Sequence, residues 1–186
     1  MNKKFFLKIY IYALSIVCLP LSAQNMASIE IPSGISFVYG FDYHPVWYTQ
    51  LKPSIGFAWA NSSLIGKSSE VQYAFIIEQR YNYNIIKRQS KGKNISHKSS
   101  NFISLKPAYV FSRTKYDKNN LLSQMTGVST YDEQKYYCSF NWGMRRAMGK
   151  HFYFDGSIGL GPQYSVTYKE WKGIIDLYLS IGFKLF

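Results

Sequence analysis

Large apolar residues alternate with small or polar residues along most of the chain. In the last segment, every second residue from Ile175 to Leu185 is apolar. The residues between them are small, polar or charged, apart from one tyrosine: Asp176, Tyr178, Ser180, Gly182 and Lys184. A β-strand directs successive side chains to opposite faces of its sheet. Alternation over a whole segment therefore predicts a strand rather than a helix.

Seven segments carry this alternation clearly, and an eighth carries it weakly. The clear segments are 35–43, 50–59, 71–83, 103–112, 136–145, 152–160 and 175–185. In the weak segment, 26–32, Ala27 and Ile29 alternate with Ser28 and Glu30. Residues 121–131 compete for the eighth place, although their alternation is poor. The longer connections are then expected at 44–49, 61–70, 84–101, 113–135 and 162–173.

The first 23 residues have the composition of a secretory signal. Lysines at positions 3, 4 and 8 are followed by an apolar run from Ile9 to Val17, and Ser22 and Ala23 suit cleavage by a signal peptidase. The apolar run is too short to span a membrane. We therefore predict a signal peptide at 1–23 and one mature domain at 24–186. A buried amino-terminal helix is the alternative.

Two all-β architectures fit such alternation. A soluble lipocalin-like cup points its large residues inward, whereas a transmembrane barrel points them outward into lipid. The segments are long enough to cross a tilted bilayer, which takes ~9–11 residues. Aromatic residues make up 18% of the chain and gather near segment ends, as in the interfacial girdles of membrane barrels. These end positions are Trp47, Tyr48, Trp59, Tyr81, Tyr83, Tyr136, Tyr137, Phe152, Tyr153 and Trp171.

The polar face of the predicted strands carries as many acids as bases. An enclosed lumen favours such a balance, because an unpaired charge away from water is costly. The sequence therefore predicts a lumen charge network rather than a face open to water. Its acids are Glu30, Asp42, Glu78, Asp155 and Asp176, and its bases are Lys52, Arg80, Lys106, Arg145 and Lys184.

With its signal segment, its eight alternating segments and its final LYLSIGFKLF, the chain resembles the small OmpA/OmpX-like barrels of the Gram-negative outer membrane. The stretch EQRYNYNIIKRQSKGKN (78–94) is also similar to a segment of uncharacterised outer-membrane barrel proteins. The resemblance implies an eight-stranded antiparallel up-and-down transmembrane β-barrel with both termini in the periplasm. It also implies contact with outer-membrane lipids and lipopolysaccharide, and insertion by the barrel-insertion machinery through the carboxy-terminal strand. Phe186 departs from the apolar parity that ends at Leu185, which points to a signal read as GFKL or to a bulged strand end.

The sequence carries none of the usual signatures of catalysis or of metal and cofactor binding, such as GxSxG, HExxH, a Walker loop or CxxC. We expect a non-enzymatic, monomeric barrel with a closed interior and a role in envelope structure or surface interaction, without cofactor or metal. A lipid A-modifying barrel enzyme is one alternative, with His97, Ser96 and Ser99 as the residues to consider. A soluble periplasmic lipocalin-like binding barrel is the other.

The formal net charge of +12 is local in origin. Loss of the three signal lysines lowers it to +9, and residues 80–116 hold nine bases and no acid. A secreted barrel rarely meets nucleic acid, so the bases do not indicate a nucleic-acid partner. Several of them form a possible patch for anionic lipid head groups or else a solvated loop. The members of this patch are Lys87, Arg88, Lys91, Lys93 and Lys98.

Overall fold

The chain forms an all-β barrel of eight antiparallel strands, seen in a computed structural model that describes residues 26–31, 34–62, 66–116, 124–125 and 127–185. The all-β, eight-stranded prediction is confirmed. The proposed signal at 1–23 and the off-parity Phe186 lie outside the described residues. The strands are β1 (Met26–Ile31), β2 (Gly34–Asp42), β3 (Trp47–Ser62), β4 (Gly66–Tyr81), β5 (Asn101–Tyr116), β6 (Thr130–Met148), β7 (Phe152–Ser165) and β8 (Glu170–Lys184).

Each strand pairs with its neighbour in sequence, and β1 pairs with β8 to close the ring. The register joins Ile29 to Phe37 on β2 and to Phe183 on β8. The weak amino-terminal segment therefore supplies the eighth strand. Of the competing segment 121–131, the described residues in a strand are the first two of β6, Thr130 and Tyr131, which pair with Lys115 and Thr114.

Strands β3 to β8 are 14 to 19 residues long, which exceeds the predicted segments. The connections expected at 61–70, 113–135 and 162–173 are correspondingly shorter. Apolar alternation stops before the strands do, because the ends of the strands carry polar side chains that pair with one another. At one such place Arg113 Nε donates to Asp132 Oδ1 at 2.7 Å, across the β5–β6 pairing.

The barrel has two ends, which we call the base and the mouth. The base carries the start of β1, the end of β8 and the connections 43–46, 82–100 and 149–151. The 82–100 connection contains a short helix, α1 (Ile85–Ser90), and a 3-10 turn (Ser96–Lys98). The mouth carries the other four connections. Within the described residues, no helix is both long and apolar enough to cross a membrane.

The wall turns its large apolar side chains outward and its charged side chains inward. Ile175 and Leu177 are 74% and 69% exposed, whereas Arg145 and Asp155 are fully buried. A soluble cup would show the opposite distribution, so the inward apolar core expected of a lipocalin-like barrel is not found among the described residues. The interior is instead the place where charged groups meet.

Candidate functional site

Asp155 of β7 lies at the centre of the interior and is shared by two arginines. Its Oδ2 accepts from Arg80 Nη1 at 2.8 Å, from Arg145 Nε at 2.9 Å and from Arg145 Nη2 at 2.5 Å. Side chains along a strand alternate between two faces, and at these positions β4, β6 and β7 direct their side chains into the lumen. Because hydrogen bonds between charged groups are the stronger kind, this cluster ties β4, β6 and β7 together through the lumen.

Glu78 of β4 is the second acidic centre. Its Oε2 accepts from Arg80 Nη2 at 2.9 Å and lies 3.4 Å from Lys52 Nζ. Gln50 Nε2 donates to the same oxygen at 2.5 Å, and Ser104 Oγ donates to Oε1 at 2.8 Å. Both carboxylate oxygens are thereby satisfied in a fully buried position, which is the condition for a buried charge to be tolerated.

Glu30 of β1 is held by two tyrosines and two bases. Tyr153 Oη donates to Glu30 Oε1 at 2.8 Å, and Tyr178 Oη donates to Oε2. Lys52 Nζ lies 3.2 Å from Oε2, and Arg145 Nη2 lies 3.3 Å from Oε1. Through these contacts the short strand β1 is tied to the far wall of the barrel as well as to its neighbours.

A fourth acid, Asp176 of β8, forms a separate pair nearer the mouth. Its Oδ2 lies 2.8 Å from Lys106 Nζ and accepts from Ser139 Oγ at 2.6 Å. With this pair, the interior network has four acids and four bases, each of them in at least one ion pair, so the network is neutral as a whole. The eight residues are Glu30, Glu78, Asp155, Asp176, Lys52, Arg80, Lys106 and Arg145.

The structure differs from the predicted network at two of its ten residues. Asp42 lies at the base, where its Oδ2 pairs with Lys98 Nζ at 2.5 Å, apart from the central cluster. Lys184 is half-buried, and no described carboxylate pairs with it. Both residues have the inward parity, but they stand at strand ends, where parity alone does not bring a side chain to the central layer.

Aromatic rings complete the network, although the balance of charged residues in the sequence does not point to them. The Arg80 guanidinium lies 3.8 Å from the centroid of the Phe102 ring, and that of Arg145 lies 4.4 Å from the Tyr153 centroid. Lys52 Nζ lies 4.5 Å from the Tyr178 centroid. Such positions favour the cations electrostatically. The inward parity of these aromatic residues was the signal that could have identified them.

Two interior glycines make room for tyrosine rings. A Cβ built on Gly40 would lie 1.8 Å from Tyr48 Oη, and one built on Gly182 would lie 2.1 Å from Tyr153 Cζ. Any larger side chain would displace a ring. Tyr48 and Tyr153 are both buried and pack together at the base, where they line the bottom of the charge network.

The 82–100 connection folds against the base and is anchored to it. Ser100 Oγ donates to Asn82 Oδ1 at 2.7 Å, and Arg145 N donates to Ser100 O at 2.8 Å. The His97 ring centroid lies 5.8 Å from that of Tyr153. Burial, with the positive charge of Lys184 nearby, lowers the pKa of His97 below its usual range. The connection is therefore an ordered cover over this end of the barrel.

In this cover, the five residues of the predicted lipid patch fall into two groups, one exposed and one engaged in contacts. Lys87, Lys91 and Lys93 are exposed on it, as a patch requires. Arg88 is half-buried, because its Nη2 donates to Asn94 O at 3.1 Å and to Ser99 Oγ at 3.4 Å. Lys98 is bound to Asp42. The side chains free to meet a ligand are thus the three lysines, whereas Arg88 and Lys98 hold the cover in place.

The residues considered for an enzymatic alternative lie in the same cover. Among the described residues, no hydrogen bond joins His97 to a serine or a carboxylate, and Ser99 Oγ donates to Arg145 O at 3.4 Å. No group of histidine, cysteine and acidic residues that could hold a metal ion occurs in the described part of the chain. His97 also lies at the base, where β1 begins and β8 ends.

The chain matches no family of known proteins, no curated protein and no solved structure. The features of the barrel that bear on its function are its apolar outer wall and its neutral interior, which is cross-linked by ion pairs.

Proposed function

We propose that this chain is a non-enzymatic membrane barrel of the bacterial outer membrane, monomeric, with an interior closed by its charge network. The observation that carries the proposal is the reversal of the usual distribution of side chains. Large apolar residues cover the outside, and the interior network holds four bases and three acids that are buried, with Asp176 as a partly buried fourth acid. Such an apolar outer surface is unfavourable in water, and soluble monomers rarely expose large contiguous apolar patches. The hydrocarbon of a bilayer suits it.

The height of the apolar wall supports this proposal. On β3, the exposed Trp47 and Trp59 are 12 positions apart, near the base and towards the mouth. At ~3.3 Å per residue and a strand tilt of about 40°, they are separated by roughly 30 Å along the barrel axis. That matches the hydrocarbon thickness of ~30 Å. Further aromatic residues lie near the same levels: Tyr81, Trp142, Phe152 and Phe183 towards the base, and Tyr136, Tyr164 and Trp171 towards the mouth.

The interior supports a structural rather than a transporting role. Eight strands leave an interior only wide enough for side chains. Here the arginine and tyrosine side chains cross it, and the 82–100 connection covers the base. The proposed role is therefore in envelope structure or in surface contact at the mouth.

The base is proposed to face the periplasm and to meet anionic lipid head groups there. The ring of Tyr83 lies at the outer wall, where its hydroxyl accepts from Trp142 Nε1 at 3.0 Å. This contact sets α1 beside the base aromatics, with Ile86 exposed and Lys87 next to it. An apolar side chain flanked by lysines at this level is typical of attraction to an anionic membrane surface. Outer-membrane lipids and lipopolysaccharide are the proposed surroundings of the wall.

The route to the membrane completes the proposal. Residues 1–23 would direct export, and β8 would be presented to the barrel-insertion machinery as the carboxy-terminal strand. This proposed route is the one that the resemblance to OmpA/OmpX-like barrels implies.

Fractionation of a Gram-negative host that expresses the full chain tests the proposal. We expect the protein in the outer-membrane fraction, with a faster unboiled band than boiled band in SDS gels, because a folded barrel resists the detergent. A chain without residues 1–23 is the control, and it should remain in the cytoplasm without the shift. A soluble periplasmic protein with no heat-dependent shift would overturn the proposal.

A further inference from the structure

The described strands leave the wall of the barrel incomplete on one side, above the β1–β2 hairpin. The hairpin ends where Ile31 pairs with Ile181 of β8 and Gly34 pairs with Gly56 of β3. Beyond these pairs, β3 continues to Ser62 and β8 begins as early as Glu170. No described strand pairs with these stretches on the side that faces the gap. We call this gap the notch.

The notch is wide enough for a ligand. Two strands are missing between β3 and β8 there, and strands in a sheet are ~4.8 Å apart, so the two edges are separated by roughly 14 Å. A cavity of about 380 Å³ lies at this place. Its size is within the range of ~300–1,000 Å³ typical of small-molecule sites.

The residues that line the cavity show that it opens sideways. Tyr178 and Gln72 point into the lumen, whereas Ile55, Leu177 and Leu179 have the outward parity. These three residues stand on β3 and β8, at the two edges of the notch, so the cavity extends to the edges of the wall. The apolar outer wall is therefore continuous, through the notch, with the upper interior.

The wall of the cavity opposite the notch includes an apolar strip. Ala74 and Ile76 of β4 line the cavity and point inward. They pair with Val110 and Ala108 of β5, which are buried on the same inner face. Tyr137 pairs with Ala108 and also lines the cavity. Apolar residues at these five positions stand out in an interior that is otherwise largely polar.

Polar groups border the same cavity at fewer points. Ser36, Ser54 and Gln72 line it, and the edge of β8 that no described strand pairs with carries backbone N–H and C=O groups. Backbone groups without partners are costly in hydrocarbon, so this edge needs hydrogen-bonding partners in a membrane. An ester- or amide-linked chain supplies carbonyl acceptors for the N–H groups. The charge network below is neutral, which gives no preference for an anionic group inside.

From this geometry we infer that the notch admits one acyl chain of a membrane lipid from the surrounding bilayer. The chain lies on the strip of Ala74, Ile76 and Tyr137, its ester or amide linkage meets the β8 edge, and its head group stays outside. This inference rests on the proposed function, because it requires the outer wall to lie in lipid.

Photo-crosslinking in liposomes tests the inference. The folded full-length protein is reconstituted with a phospholipid that carries a diazirine in its acyl chain, and adducts are assigned to single residues by mass spectrometry. We expect adducts on the inward-facing Ala74, Ile76 and Tyr137, besides those on outward-facing residues such as Phe75 and Tyr109. Adducts confined to outward-facing residues would overturn the inference and leave the proposed function standing. Absence of adducts on both faces would contradict the proposed function itself.

A pair of matched variants sharpens the test. Ala74→Trp fills the cavity from its wall, so labelling of Ile76 and Tyr137 should fall to background. Phe75→Trp adds an indole on the outer face at the next position, and it should leave the inner labelling unchanged. The heat-dependent gel shift verifies that each variant is folded. If Ala74→Trp does not fold, the wild-type pattern of inner and outer adducts still decides the question.

Discussion

Asp155 Oδ2 lies 2.8 Å from Arg80 Nη1 and 2.5 Å from Arg145 Nη2, so one buried carboxylate is shared by two arginines from different strands. Glu30 and Glu78 complete the balance from the other side of the lumen. In this arrangement the ion pairs share their members, and removal of any one charge leaves the neutral network with an excess of the opposite charge. The stability of the barrel should therefore respond sharply to single changes in the interior.

The first prediction concerns Asp155. Asp155→Asn should lower the free energy of unfolding by about 3–5 kcal/mol, because two arginine charges are left without their carboxylate. Urea titration in detergent micelles or lipid vesicles measures it. Asp132→Asn is the matched control, since Asp132 pairs with Arg113 at an exposed place, and its unfolding midpoint should not change detectably. Equal effects of the two changes would refute a structural role of the network.

A double variant separates charge balance from packing. Asp155→Asn combined with Arg80→Met restores neutrality inside the barrel. The double variant should be more stable than the sum of the two single changes indicates, with a coupling of about 1–3 kcal/mol in a double-mutant cycle. Additive losses would mean that the two side chains act independently.

Gly40 provides a steric test. Gly40→Ala should lower stability by roughly 1–3 kcal/mol, because the added methyl group overlaps the Tyr48 hydroxyl and the ring must move. Gly173→Ala is the control, as a Cβ at that position meets nothing within 4 Å. The comparison uses the same urea titration. A stable Gly40→Ala protein with an unchanged midpoint would show that the Tyr48 ring has another place to go.

The cover over the base should loosen in acid. The pKa of His97 is lowered by burial and by Lys184, so the folded state binds a proton less readily than the unfolded state. The stabilising effect of neutral His97 is fully present above the unfolded pKa of about 6.5 and is lost as the pH falls through the lower folded value. Thermal unfolding at pH 7.5 and 5.5 measures it. His97→Gln should reduce the difference in unfolding temperature between pH 7.5 and pH 5.5, whereas His151→Gln at the neighbouring turn should not.

The three exposed lysines of the cover should select anionic lipids. Replacement of Lys87, Lys91 and Lys93 by Gln should reduce the enrichment of phosphatidylglycerol around the barrel in mixed-lipid nanodiscs. The expected loss is about 1 kcal/mol per lysine at low salt. The control replaces three lysines near the mouth, Lys115, Lys169 and Lys172, and should leave the enrichment as it is. Unchanged enrichment in the first variant would leave these lysines as a solvated surface.

The fold follows from the sequence as far as the two-residue period extends. The inward position of Glu78, Arg80 and Arg145 can be assigned from parity alone, because a strand leaves only two directions for a side chain. Which acid meets which base cannot be assigned, since this depends on the register between strands and on the width of the lumen. The contact between Arg80 and Asp155 joins residues 75 positions apart.

Features outside the periodic segments cannot be predicted from the alternation of apolar and polar residues. The pairing of Asp42 with Lys98 depends on the fold of the 82–100 connection, where His97 and Lys98 adopt positive φ values of 55° and 59°. The notch follows from β1 and β2 being only 6 and 9 residues long. In the sequence, Pro32-Ser33-Gly34 separates the first two alternating segments early. The gap that results is recognised only when the lengths of β1 and β2 are compared with those of their neighbours β3 and β8.

Spin-label accessibility along β6 tests the central claim most directly. In a Cys138→Ser background, single cysteines at 139–144 are labelled with a nitroxide in liposomes, and collision with oxygen and with a water-soluble nickel complex is measured. We predict a period of two, with high oxygen and low nickel access at Phe140, Trp142 and Met144, and low access to both probes at positions 139, 141 and 143, which face the filled interior. Uniform access to the nickel complex at all six positions would contradict a wall that faces lipid.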